Sequence, residues 1–197
     1  MSTRLLKHVP KMLLPLLLLA AAPSSADDAN LKAGVFSPPR AAPEFSLRGS
    51  DGRELRLSQY RGKVVVLAFG FTSCPDVCPT TLAVLAETRK KLGEQAKELQ
   101  VLYITVDPET DSPERMRKYL GSFDPTFVGG TGTAEQLAAV RQNYGIAATR
   151  KTLGTSYTFS HSSYTYLIDR SGSLRALMPY GQSSDDYVHD VKILLNP

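Results

Sequence analysis

Apolar runs and alternating segments along the chain predict one domain in which strands and helices alternate. Two nearly continuous apolar runs, 63–69 (KVVVLAF) and 99–106 (LQVLYITV), have the composition of strands that are buried on both faces. Periodic apolar positions bounded by capping residues predict helices over 80–92, 112–120, 133–144 and 183–195. Shorter alternating segments predict a hairpin at 45–48 and 54–57, a brief strand at 127–128 and a hairpin at 164–168 and 174–178.

This order of elements predicts an α/β fold of the thioredoxin-like kind, with a central mixed sheet, flanking helices and an N-terminal hairpin. The domain is expected over residues 43–197. The polar, proline-rich segment 27–42 is predicted to be a flexible lead-in, and residues 147–160 are predicted to be irregular.

The first 26 residues explain most of the basic excess of the chain. The 197 residues include 23 basic and 19 acidic side chains, for a net charge of +4. Residues 1–26 contain three of the basic residues and no acidic one. Within this segment the basic residues come first, then an apolar run, and then the small residues Ser24, Ser25 and Ala26. This pattern predicts a signal peptide cleaved near Ala26, and hence a periplasmic protein. The apolar run is shorter than the roughly 20 residues of a membrane span, although an uncleaved anchor is the alternative. The remaining chain is close to neutral, which argues against nucleic-acid binding.

The two cysteines, Cys74 and Cys78, are the first candidates for chemistry. Their spacing places both thiols on one side of a helical turn, at a junction between a buried strand and a helix. Backbone amides at a helix N-terminus stabilise thiolates, which are both nucleophiles and soft metal ligands. A structural disulfide is the alternative, but closing so short a loop contributes little stability. The spacing therefore favours redox or metal chemistry.

Two histidines remain after the leader. His161 precedes the strand at 164–168, and in a thioredoxin-like fold this part of the chain faces the cysteine loop. His189 stands among charged residues in the last helix, where a solvated helix face explains it. Met116 and Met178 are expected to be packing residues. Asp107 ends a strand, and Asp111 or Ser112 is expected to cap the next helix.

Three segments together resemble the Sco/SenC family. They are FTSCPDVCPT at 71–80, VDPETDSP at 106–113, and His161-Ser followed by YLIDRSG at 166–172. Members of this family are thioredoxin-fold copper-binding proteins linked to assembly of the dinuclear copper centre of cytochrome c oxidase. The resemblance implies that Cys74, Cys78 and His161 bind Cu(I) or Cu(II), and that Asp107 belongs to an acidic motif near the site. It also implies, as partners, the copper-bearing subunit of the oxidase and other periplasmic copper carriers.

The sequence departs from the family pattern beside the histidine. The family commonly has an acidic residue where Ser160 precedes the histidine, so this chain lacks the neighbouring carboxylate that would orient the imidazole. Asp76 and Asp107 are candidates to support the metal ligands, although Asp76 more simply stabilises the first turn of its helix.

A thiol-disulfide reductase that keeps the oxidase cysteines reduced is the main alternative to a copper chaperone. A peroxidase of the peroxiredoxin type is a further alternative, which the second cysteine disfavours.

Overall fold

The computed structural model describes residues 30–196. The expected signal peptide and the first residues of the expected lead-in lie outside this range. Within it, no helix combines the length and the apolar character that a membrane crossing requires. Ten strands are described: β1 Gly34–Ala41, β2 Ser46–Gly49, β3 Glu54–Arg56, β4 Val64–Gly70, β5 Leu99–Thr105, β6 Val128–Thr131, β7 Ala148–Leu153, β8 Ser156–His161, β9 Thr165–Ile168 and β10 Ser173–Met178. The helices are α1 Val77–Leu92, α2 Pro113–Gly121, α3 Ala134–Tyr144 and α4 Ser184–Leu195, and short 3-10 turns span 57–60 and 93–98.

Eight of the strands form one mixed sheet, in the order β1-β10-β9-β4-β5-β6-β2-β3. The central strands β4, β5 and β6 are parallel to one another, and the other pairs are antiparallel. Every residue of β4 and β5 is buried, as the two apolar runs predict. Helices α1 and α4 contact each other, and α2 packs against β6. The thioredoxin-like arrangement and the N-terminal hairpin, formed by β2 and β3, are therefore confirmed.

Local capping signals place the helix ends close to their predicted positions. Ser112 caps α2 by accepting a hydrogen bond from the backbone N–H of Arg115, and Thr133 caps α3 in the same way. Gly145 ends α3 in the left-handed conformation, with φ of 67°. Helix α1 begins at Val77, three residues before its predicted start at Thr80. The earlier start places Cys78 in the first turn of the helix.

The segment expected to be a flexible lead-in is instead part of the sheet. Its residues 34–41 form β1, which pairs with β10 at the edge of the sheet. The strand is irregular between Val35 and Arg40, around its two prolines, and an edge strand tolerates proline because one side needs no hydrogen-bond partners. Asp190 on α4 holds the preceding residues, since its buried carboxylate accepts hydrogen bonds from the backbone N–H groups of Lys32 and Ala33.

The segment expected to be irregular, 147–160, forms a second sheet. Strands β7 and β8 pair in regular antiparallel register from Ala148↔His161 to Leu153↔Ser156. None of the residues of these two strands is fully buried, so the sequence lacks the alternation that indicates a strand. The predicted strand at 127–128 is also displaced, because pairing with β5 and β2 runs from Val128 to Thr131.

Candidate metal centre

The cysteine loop lies at the carboxyl end of β4, where the chain turns into α1. Cys74 is half-buried in the loop, and Cys78 is 3% exposed in the first turn of the helix. Close packing at the end of β4 fixes the position of the Cys78 side chain. A methyl group on Gly70 would lie 2.7 Å from Cys78 Sγ and would overlap the hydroxyl group of Tyr103 on β5. The absence of a side chain at Gly70 therefore creates the space for the thiol.

The second hairpin brings His161 to this thiol. His161 is the last residue of β8, and its Nε2 lies 3.5 Å from Cys78 Sγ. Its Nδ1 lies 2.8 Å from the carbonyl oxygen of Ser162. Because a carbonyl oxygen can only accept, Nδ1 carries the hydrogen and, in the neutral ring, Nε2 presents its lone pair to the thiol. The ring also packs edge-on against Phe71, with centroids 5.9 Å apart.

Burial controls the protonation of both groups. It raises the pKa of Cys78 to about 12, with a further increase from neighbouring Cys74, while the Tyr103 hydroxyl and the Phe71 backbone act in the opposite direction. Burial also lowers the pKa of His161, and the Ser162 carbonyl offsets part of this effect. Near neutral pH the site therefore contains a protonated Cys78 thiol facing a neutral imidazole.

The structure assembles the three predicted ligands only in part. Both cysteines are free thiols. Across residues 30–196, no three His, Cys, Asp or Glu side chains already converge on a point suited to a metal ion. Cys78 and His161 are in contact, and Cys74 is a neighbour of Cys78 on the more exposed side.

Two polar side chains that sequence reasoning did not assign to the site hold the cysteine loop. Asp111 is fully buried, and its carboxylate accepts hydrogen bonds from the Thr72 backbone N–H at 3.0 Å, the Thr72 hydroxyl at 2.5 Å and the Thr105 hydroxyl at 2.6 Å. Arg115 donates to the hydroxyl groups of Thr72 and Ser73. Asp111 therefore orients the cysteine loop, and the helix-capping role predicted for Asp111 or Ser112 belongs to Ser112.

Asp107 anchors the hairpin that carries His161. Its carboxylate is 2% exposed and accepts from the Tyr157 hydroxyl, which lies 3.1 and 3.2 Å from the two oxygens. Tyr157 also shares a hydrogen bond with Thr110, and Arg150, which stacks 3.7 Å above the Tyr157 ring within the hairpin, pairs with Glu109 at 3.1 Å. An isolated two-stranded hairpin is marginally stable in water, so contacts of this kind keep β7 and β8 on the domain.

The sequence and fold of the chain agree with one known family. The SCO1/SenC family model matches residues 36–196. The chain belongs to the SCO1/SenC family. A SCO2-like protein of Rickettsia felis is 34% identical over 66% of this chain. The matched region spans 64% of the length of that relative. A protein of Stutzerimonas stutzeri described as a copper-binding protein is 35% identical over 86% of this chain and 87% of its own length. The copper-bound structure of ScoI from Bradyrhizobium japonicum superposes with a TM-score of 0.74, at 32% identity, over 79% of this chain and 99% of that one.

Within this SCO1/SenC domain, the remaining sequence candidates lie away from the thiol–imidazole contact. Asp76 is exposed at the N-cap position of α1, where its side chain forms no capping hydrogen bond. His189 is part-exposed on α4 and pairs with Asp190 at 2.9 Å. Met116 and Met178 are fully buried in the core, as expected of packing residues. At Ser160 the side chain is exposed, and the Ser162 carbonyl orients the imidazole instead of an acidic neighbour.

Proposed function

We propose that this protein is a periplasmic copper chaperone that binds Cu(I) or Cu(II) through Cys74, Cys78 and His161. The observation that carries the proposal is the Nε2 lone pair of His161, which faces the Cys78 sulfur at 3.5 Å beside a second thiol. Copper bound to the similar ScoI structure supports the choice of metal.

The donor set suits copper. Thiolates are soft ligands that select Cu(I), and a neutral imidazole also binds Cu(II), so the three side chains can hold both oxidation states. Binding requires that Cys78 lose its proton, whereas His161 is already neutral near pH 7. The half-buried Cys74 leaves one side of the site accessible to the side chains of an acceptor protein. This arrangement favours a carrier, because an incoming ligand can enter before copper leaves.

Location and partners follow from the same proposal. The basic and then apolar leader at residues 1–26 supports export to the periplasm. The copper-bearing subunit of cytochrome c oxidase is the proposed acceptor, with assembly of its dinuclear copper centre as the purpose. Other periplasmic copper carriers are the proposed donors.

The two free thiols also support a role for redox state. Oxidation of Cys74 and Cys78 to a disulfide would remove two of the three copper donors, so redox state would determine metal occupancy. A thiol-disulfide reductase acting on the oxidase cysteines is the second candidate. The spacing of Cys74 and Cys78 disfavours it, because general thiol-disulfide oxidoreductases use a CxxC pair and this chain has three residues between its cysteines.

A Cu(I) titration of the reduced protein tests the proposal. The wild type is expected to bind one Cu(I), and Cys78→Ser is expected to bind it much more weakly. His161→Ala is expected to weaken Cu(II) binding more than it changes the disulfide potential. His189→Ala is the matched control, since that imidazole lies on α4 and pairs with Asp190.

Two results would contradict the chaperone. One is a reduced wild type that binds no copper, and the other is Cys78→Ser with unchanged affinity. Turnover of a disulfide substrate by the metal-free protein, with His161 dispensable, would support the reductase instead.

A further inference from the structure

A buried hydroxyl group without a partner lies beside the proposed copper ligands. Tyr103 is in the middle of β5 and is 1% exposed. Within residues 30–196 its hydroxyl oxygen forms no hydrogen bond that satisfies normal geometry. A buried polar group in this state costs free energy, so natural structures contain few of them and each invites a functional explanation.

The Tyr103 hydroxyl is directed at the site. A methyl group on Gly70 would overlap this hydroxyl and would lie 2.7 Å from Cys78 Sγ. The hydroxyl and the sulfur therefore face the same small space. Tyr103, Cys78 and His161 also line one cavity of about 10 Å³, roughly the volume of a single water-sized sphere. Tyr119 has a similarly unpartnered hydroxyl, but it does not line this cavity.

We propose that Tyr103 is a positioning residue of the copper site, whose hydroxyl group donates a hydrogen bond to the Cys78 sulfur when copper holds that sulfur as a thiolate. This inference rests on the proposed copper function. A thiol is a weak acceptor, whereas a thiolate is an anionic one, and hydrogen bonds to charged acceptors are the stronger kind. Because the hydroxyl and the sulfur face the same small space, a small shift of either side chain would bring the donor to the thiolate.

Electrostatics agrees with this geometry. The Tyr103 hydroxyl lowers the pKa of Cys78 against the larger effect of burial. Burial and the neighbouring Cys78 both raise the pKa of Tyr103, so the phenol keeps its hydrogen and remains a donor. The hydroxyl group is therefore costly in the metal-free protein and useful in the copper-bound one.

Tyr103→Phe removes the donor and preserves the ring. With a chromogenic chelator as competitor, this variant is expected to bind Cu(I) about tenfold more weakly than the wild type, as loss of a hydrogen bond to a charged group implies. Its Cu(II) form is expected to show the sulfur-to-copper charge-transfer band at lower energy, because the thiolate is no longer stabilised. The melting temperature of the reduced, metal-free variant is expected to equal or exceed that of the wild type, because the lost hydroxyl had no partner.

Tyr144→Phe is the matched control. Its hydroxyl donates to the carbonyl oxygen of Pro43 at 2.7 Å, so its removal is expected to lower the melting temperature and to leave Cu(I) affinity unchanged. Unchanged Cu(I) affinity and an unshifted band in Tyr103→Phe would overturn the inference. So would a clearly lower melting temperature of that variant, since it would reveal a structural partner. Failure of the wild type itself to bind Cu(I) would instead refute the proposed function.

Discussion

Removing the hydroxyl group of Tyr157 tests whether its contact with Asp107 positions His161. Tyr157→Phe keeps the ring, and with it the stacking of Arg150 and the contact with Phe159. It leaves the Asp107 carboxylate, which is 2% exposed, without its one side-chain hydrogen-bond donor in residues 30–196. The expected effect is therefore a selective release of the β7–β8 hairpin.

The magnitude follows from the burial of the acceptor. Leaving a buried acceptor without its donor costs about 1–3 kcal/mol. In a domain of this size, 1 kcal/mol corresponds to about 2–4 °C in melting temperature, so a central value near 2 kcal/mol predicts a decrease of about 4–8 °C. If the loss is local to the hairpin, amide exchange of residues 148–161 is expected to accelerate by about 5- to 150-fold.

Hydrogen exchange and copper titration provide the measurements. Exchange of peptides covering 148–161 reports docking of the hairpin, and Cu(II) affinity reports the position of His161. Cu(II) binding is expected to weaken more than Cu(I) binding, because the two cysteines lie outside the hairpin. Tyr164→Phe is the control, since its hydroxyl makes a long, exposed contact with the Gly145 carbonyl at 3.4 Å and interacts with Tyr166, but does not bond to Asp107. Wild-type exchange, melting temperature and Cu(II) affinity in Tyr157→Phe would refute the positioning role.

Three further predictions concern the same site. The pKa of Cys78 is about 12 in the metal-free protein, so copper must displace its proton. Cu(I) affinity is therefore expected to rise at least tenfold per pH unit between about pH 7 and 9. A competition titration with no pH dependence would contradict this. Gly70→Ala is expected to cost about 1–3 kcal/mol by overlap with Tyr103 and Cys78, measured by denaturant unfolding, and to weaken Cu(I) binding. Asp111→Ala leaves the Thr72 backbone N–H without its acceptor, so it is expected to destabilise the protein by about 1–3 kcal/mol and to speed proteolysis of the cysteine loop; wild-type stability and cleavage would count against a role in holding the loop.

Much of the fold could be predicted from local sequence signals. The apolar runs of β4 and β5 identify the central strands because parallel strands covered on both faces need continuous apolar side chains. Ser112 and Thr133 act as caps because the hydrogen bonds they accept come from residues three positions away. Such signals work because every partner is close in sequence.

The peripheral strands could not be predicted in this way. Strand β1 is held by β10 and by Asp190, both more than 100 residues away in sequence, and it interrupts its pairing at two prolines. The hairpin β7–β8 is held by the Tyr157 hydroxyl, an ion pair between Arg150 and Glu109 and aromatic contacts with Phe71, without an alternating apolar face. The strand forms because its partner is present, and no short window of sequence contains that partner.

The sequence by itself determined the types of donor available: two thiols four positions apart, an imidazole, and an acidic motif at the end of a strand. It could not determine their environment, because burial, hydrogen-bond partners and protonation depend on neighbours from distant parts of the chain. Only the tertiary structure placed His161 Nε2 beside Cys78 Sγ, with Nδ1 bound to Ser162, and turned Asp111 to the cysteine loop and Asp107 to the hairpin. It also placed the Tyr103 hydroxyl at the Cys78 thiol, although nothing in an apolar strand sequence marks that tyrosine. Desolvation and hydrogen bonding act over a few ångströms of space, and these distances exist only once the chain has folded.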